Sequence, residues 1–266
     1  VPAQGEPFRL GALGVALARA YAASPVNEAE QVHPFVFLSA EVLCQWRPED
    51  GPLPRFQELW AQGKLHWATI DIKDLLRGKY REEYLIVSHR WETMKEPDPK
   101  CEQLTVLQRF LQDNPRIKWV WIDYHCLPQG KCLDVELRAL FRKTLSIINY
   151  LYISMTVLVV FDFQYIGRFW TSYEAWLSMQ TAGSDGLGPA PLDSMRVEIR
   201  CVGAASSVER SCAQILQSAW HQLNHEAARR ELAHSDIHVT NMRDKTEQLD
   251  RLETLPARVR SIMMQP

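Results

Sequence analysis

The sequence contains no phosphate-loop motif and no G-x-G-x-x-G, which argues against an NTPase or a Rossmann dehydrogenase. It has no H-E-x-x-H and no Cys-x-x-Cys pair. His221 with His225, and His234 with His238, share four-residue spacing but lack the acid or cysteine partners of a zinc site. They read as solvated helix histidines, and no metal is expected. A formal net charge of −2 supplies no basic surface for nucleic acid or an acidic membrane. No uninterrupted apolar run reaches membrane-spanning length. The longest, residues 150–163, is broken by Ser154 and Thr156 and ended by Asp162. The six cysteines are scattered, which suits a reducing, intracellular and most simply cytoplasmic setting. A first residue of Val1 rather than Met also fits an organellar form that has lost a targeting segment.

What is present is enough apolar material for a sizeable core: 266 residues, 46% of them hydrophobic. That length holds one large domain, or one domain with a smaller N-terminal elaboration. Five of the nine tryptophans (Trp91, Trp119, Trp121, Trp170 and Trp176) fall in or beside three stretches of similar layout. In residues 84–92, YLIVSHRWE, an apolar run ends in a burst of polar residues. Such a run fits a strand buried on both faces in a parallel sheet. Ligand crevices of open α/β sheets lie outside the carboxyl ends of such strands, where Ser88 to Glu92 would stand. Residues 118–129, KWVWIDYHCLPQ, repeat the layout and end in Asp123, Tyr124, His125 and Cys126. The third, residues 168–176 (RFWTSYEAW), follows the apolar run 156–163 and carries Glu174 in a helical pattern.

SHRWE, WIDYHCLPQ and RFWTSYE resemble, in order, the three boxes of the heterokaryon-incompatibility (HET) domain, approximately S-Y-x-W-G, W-I-D-x-x-C-I-x-Q and R-x-W-T-x-Q-E. That family looks like a relative of TIR domains, whose third box has a Trp followed four residues later by Glu, like Trp170 and Glu174. The resemblance covers roughly residues 84–180. It implies a flavodoxin-like three-layer α/β sandwich with a mainly parallel central sheet over residues 81–266, with residues 1–80 packed on it as an extension. It also implies NAD as substrate, cleaved at the nicotinamide glycosidic bond in an immune or self-recognition role, with self-association. The alternative is a non-catalytic interaction or structural module within a larger assembly. Two departures bear on this choice: Glu92 stands where the family has Gly, and Pro128 stands where it has a polar residue.

In chain order, the pattern predicts a helix over 8–23, an apolar strand or helix over 33–43, a short helix over 55–62 and a strand over 66–72. Helices over 101–112 and 133–150 alternate with strands over 119–122 and 156–161, and a further helix covers 170–180. Residues 181–194, TAGSDGLGPAPLDS, read as a mobile or inserted loop. Residues 195–202 alternate as a fourth strand. Ser206 with Glu209 has capping-box spacing for a helix running to about residue 232, and a C-terminal helical pattern is interrupted by Pro256.

Glu174 is the candidate catalytic residue. A carboxylate beside the ribosyl centre stabilises the positive charge that develops as neutral nicotinamide leaves, and accepts a ribose hydroxyl proton. The plainer reading pairs it with Arg168 or leaves it solvated. Ser88, His89, Arg90 and Trp91 would form the phosphate-facing loop, Arg90 through its planar fork; a surface pairing of Arg90 with Glu92 is the plain alternative. Asp123 would bind a ribose, orient His125 or cap the following turn, and Tyr124 and Trp170 would line the ligand site. Cys126 beside His125 suggests a nucleophile, but adjacent strand-end residues point apart, so a packed thiol fits better.

Overall fold

The computed structural model describes residues 32–130 and 135–265; the helix expected over 8–23 lies outside them. The first strand, β1 (Val32–Ser39), runs directly into α1 (Ala40–Gln45), where the Ser39 hydroxyl accepts the Glu41 N–H and stops the strand. There follow α2 (Phe56–Ala61), β2 (Leu65–Asp71), α3 (Ile72–Leu76), β3 (Tyr84–His89), α4 (Glu102–Asp113) and β4 (Trp119–Trp121). Next come α5 (Asp123–Cys126), α6 (Val135–Ser154), β5 (Thr156–Phe161), α7 (Phe169–Ser178), β6 (Gln180–Gly183), β7 (Gly186–Pro189) and β8 (Val197–Cys201). Three helices close the chain: α8 (Glu209–Trp220), α9 (His225–Ala233) and α10 (Met242–Met263).

Six strands form one mixed sheet in the order β2-β1-β4-β3-β5-β8. The run β4-β3-β5-β8 is parallel, whereas β1 is antiparallel to both β2 and β4. The sheet is therefore less uniformly parallel than expected. Its antiparallel part comes from residues 32–71, which join the same sheet as the later strands. β2 alternates exposed and buried positions as a half-solvated edge strand, a pattern that antiparallel pairing tolerates. In contrast β3 and β5 are buried along nearly their whole length, matching their unbroken apolar runs.

The alternation of side chains along β3 sets up the site. Val87 and His89 point to one face, where α4 packs; Ile86 and Ser88 point to the other, toward α7. From β3 the chain crosses to β4 on one side and later returns to β5 on the other. The order of the strands thus reverses at β3, and a crevice opens at the carboxyl ends of such strands.

Three expectations are corrected. Residues 181–194 do not form a loose loop: β6 and β7 pair as a hairpin, followed by a short 3-10 turn over Leu192–Ser194. The turn needs Gly186, whose φ is 109°, and whose backbone lies so close to Pro256 that an added Cβ would come within 2.7 Å of that residue's carbonyl oxygen. The helix expected from Ser206 to about residue 232 is two helices, because Asn224 caps α9 by accepting the Ala227 N–H, while the Ser206 hydroxyl instead donates to the Gly203 carbonyl. Finally, α10 continues through Pro256. A mid-helix proline costs about 3 kcal/mol. Leu252, Leu255 and Val259 are buried on either side of it, and at about 1.5–3 kcal/mol each their burial offsets that cost.

Candidate functional site

At the carboxyl end of β3 two polar networks lie back to back. On the α7 face, the Ser88 hydroxyl donates to Glu174 Oε2 at 2.5 Å. The same Oγ is 2.6 Å from the Tyr165 hydroxyl. Ser88 has one proton, so when it donates to Glu174 the phenol of Tyr165 must donate to Ser88. Ser88 and Tyr165 are fully buried, whereas Glu174 keeps partial access to solvent. Burial, reinforced by the Asp123 charge, raises the Glu174 carboxyl to about 8, against the opposing effects of the Ser88 hydrogen bond, Tyr152 and His89. Burial and the Glu174 charge hold the phenols of Tyr152 and Tyr165 well above their ordinary value.

On the α4 face, His89 Nδ1 lies 2.7 Å from Gln103 Oε1, and Nε2 lies 3.0 Å from Asp123 Oδ1. The amide NH2 of Gln103 is committed to the carbonyls of Arg90 and Pro97. Its oxygen therefore faces the imidazole, and both ring nitrogens meet acceptors. That is the environment of an imidazolium. Burial opposes protonation of His89, but the hydrogen bond and charge of Asp123, with the Gln103 bond, together raise it above its ordinary value. Burial likewise opposes the Asp123 carboxylate. The donors His89, Trp91 Nε1 and the Tyr124 N–H nonetheless lower it below the usual range. Asp123 thus orients His89 and not His125, while also accepting the first N–H of the following turn.

A pH dependence follows from this pair. The raised His89 contributes stability that is fully present below about 6.5, its unfolded value, and lost as pH rises through the folded value. The lowered Asp123 contributes stability present above about 3.9 and lost as pH falls through its own folded value. The raised Glu174 carboxyl adds a loss of stability as pH climbs from about 4.3, its unfolded value, toward the folded value. Melting temperature should therefore begin to fall above about pH 4.3 and fall more steeply from about pH 6.5 toward about pH 9. In Asp123→Asn, His89 loses the partner that outweighs burial, and its share of that slope should vanish; thermal melts showing an unchanged slope would remove the ion pair from the account.

Arg90 is not paired with Glu92: its guanidinium holds Asp162 at 2.7 and 2.5 Å and donates to the Trp91 carbonyl. Trp91 packs edge-on against Tyr124, whose hydroxyl donates to the Lys95 carbonyl. Trp170, half-buried, packs against Phe169 and Tyr173 at the start of α7. His125 donates its Nδ1–H to the Pro54 carbonyl at 2.8 Å and burial pushes it down to about 4, which makes it a weak base, and the Cys126 thiol bonds to the backbone of Ile122 and Val120 instead of to it. Burial pushes the Cys126 thiol up to about 12, and it lies under the sheet end, hydrogen-bonded to the Val120 carbonyl. Cys126 is therefore a packed thiol and not a nucleophile.

Between β3, β5 and α4 lies a cavity of about 40 Å³ lined by Val87, His89, Val160, Leu104, Leu107 and Pro97 among others. It has room for a water or two, far below the several hundred Å³ of a ligand pocket. Glu174 is not among its lining residues. Among the described residues no group of three or more His, Cys, Asp or Glu could hold a metal ion. No helix among them is long and apolar enough to cross a membrane.

No family model, curated protein or solved structure matches the chain. The site therefore stands on its geometry. Sequence reasoning missed Tyr165, Asp162 and Gln103. The first two follow β5 directly, so the rule that placed Ser88 at a strand end applies equally to them. Gln103 sits in the first turn of α4 and carries no comparable signal.

Proposed function

We propose that the protein is a TIR- and HET-like domain of flavodoxin-like architecture that hydrolyses NAD at the nicotinamide glycosidic bond, with Glu174 as its catalytic carboxyl. The observation that carries this reading is the Ser88–Glu174 hydrogen bond. It places a carboxyl of raised pKa at the point where the strand order reverses, the region where α/β sheets bind ligands. The parallel strands β4-β3-β5-β8 run second, first, third, fourth in chain order, as a flavodoxin-like sheet does. In the reaction the C–N bond breaks with its electron pair leaving on nicotinamide. The ribosyl cation is captured by water, giving ADP-ribose and a proton. Glu174 rests protonated at neutral pH and ionises when the cationic nicotinamide ribosyl group is bound beside it, since a nearby positive charge favours the carboxylate. The carboxylate then faces the developing oxocarbenium charge.

A second reading, the non-catalytic interaction or structural module, draws on two observations: Arg90 is held by Asp162 and so is not free to grip phosphate, and the adjoining cavity is too small for a nucleotide. The catalytic reading meets both by self-association that completes the site and opens the loop after β3. The test is nicotinamide release from NAD by purified protein over rising protein concentration, with light scattering in parallel. Release that grows with association supports the enzyme. None, even in a forced oligomer, moves the assignment to the module.

A further inference from the structure

The side of the candidate site away from the cavity holds a chain of three side chains whose hydrogen bonds run in one direction whenever Glu174 is ionised. Tyr165 lies in the turn between β5 and α7, its ring fully buried beside Phe161 with ring centres 5.5 Å apart. Its N–H donates to the Asp162 carbonyl and its carbonyl accepts the Thr171 hydroxyl, so the turn is fastened to the first turn of α7. The phenol therefore cannot swing away, and among the described residues Ser88 is its one hydrogen-bond partner. Ser88 in turn is fixed by β3 at the centre of the sheet.

We propose that Tyr165 and Ser88 are positioning residues for Glu174, forming a phenol-to-hydroxyl-to-carboxylate chain that fixes the orientation of the carboxyl and favours its charged form. An ionised acceptor makes a hydrogen bond roughly twice as strong as a neutral one. The Ser88 bond is therefore worth more to Glu174 as carboxylate than as acid. Tyr165, by occupying an acceptor site on the Ser88 oxygen, leaves the serine proton no competing direction and polarises the hydroxyl toward Glu174. The other groups facing Glu174 are Asp123 and His89 from the sheet edge and Tyr152 from α6. Asp123 acts with burial to keep the carboxyl protonated, while His89 and Tyr152 act with Ser88 to release it. The chain is thus one side of a balance. The catalytic consequence rests on the reading of Glu174 proposed above; the positioning itself does not.

The experiment is a carbon-13 NMR titration of the Glu174 side-chain carboxyl in protein labelled at glutamate, for wild type, Ser88→Ala, Tyr165→Phe and the double variant. Ser88→Ala should raise the titration midpoint by about one pH unit, and Tyr165→Phe by a smaller amount. Because Tyr165 acts through Ser88, its effect should disappear in the Ser88→Ala background. A merely structural role would lower melting temperature without moving the midpoint. Tyr165→Phe keeps the buried ring, so it reports even if Ser88→Ala folds poorly. An unmoved midpoint in both single variants overturns the proposal, as does a Tyr165→Phe shift that is equally large once Ser88 has been replaced. Nicotinamide release from NAD is measured on the same samples. If wild type releases none while the shifts stand, the catalytic reading fails and the positioning chain is retained.

Discussion

Replacing Arg196 by methionine should lower the melting temperature by about 10 °C, the largest stability loss expected of any single change to a polar residue here. Arg196 lies just before β8 and is 5% exposed. Its guanidinium donates to the carbonyls of Tyr152, Met155, Ser178 and Gln180. Tyr152 and Ser178 lie in the last turns of α6 and α7, where a helix leaves acceptors without partners, Met155 directly follows α6, and Gln180 opens β6. One side chain thus terminates two helices at once, with a positive charge at the negative end of each dipole. All four of these acceptors are neutral carbonyls. Burial, with a smaller contribution from Arg81, lowers the guanidinium to about 9, the mark of a charge held at a cost. Two effects oppose each other in the variant. Methionine removes that desolvation cost, but it strands the carbonyls in a place with little access to water. Each buried acceptor left without a partner costs about 1–3 kcal/mol, so stranding several carbonyls outweighs the desolvation relief, for a net loss of roughly 3–5 kcal/mol. For a domain of this size each kcal/mol is worth about 2–4 °C. A shift under about 3 °C in a thermal melt would mean that water reaches these carbonyls.

The parts of the fold legible in the sequence are those where one interaction dominates. The apolar runs that became β3 and β5 announce themselves because burial on both faces demands unbroken hydrophobicity. The boundaries expected for the strand at 156–161 match β5. The convergence of Ser88, Asp123 and Glu174 on one sheet edge also follows from strand ends and a helical spacing. What could not be read is pairing that depends on distant partners. The hairpin of β6 and β7 looks like a loop in sequence because its glycines and prolines carry few side chains; close approach of Gly186 to Pro256 is visible only in three dimensions. Pro256 reads as an interruption of the helical pattern because the burial that offsets its cost comes from packing on the body of the domain. The partners of single polar groups were least legible. Arg90 goes to Asp162, 72 positions away, and His89 to Gln103 and Asp123, since many carboxylates and amides in the chain are equivalent by sequence alone.

Glu174→Gln should lower nicotinamide release by roughly 10²-fold or more while making the fold more stable at alkaline pH. In the proposed reaction the first effect is the loss of one preorganised electrostatic stabiliser facing the ribosyl cation, a change of that order in other charge-stabilising sites. The second comes from the structure. An exposed carboxylate would make the substitution nearly silent for folding, but Glu174 is partly buried beside Asp123 and its carboxyl is raised to about 8. A carboxyl whose folded value exceeds its unfolded value, about 4.3, costs stability progressively as pH rises between the two, and the cost is complete above the folded value. Gln has nearly the same shape, can still accept the Ser88 hydrogen bond through its amide oxygen, and carries no charge to desolvate. The melting temperatures of variant and wild type should therefore lie close together near about pH 4.5 and separate in favour of the variant by about pH 9. Activity and stability then move in opposite directions from one substitution, the relation expected where a site holds a carboxyl in a place that the fold alone would not choose. If release falls and the melts never separate, Glu174 is catalytic but is not the strained group described. If the melts separate and release persists, the strain is real and the catalytic carboxyl lies elsewhere.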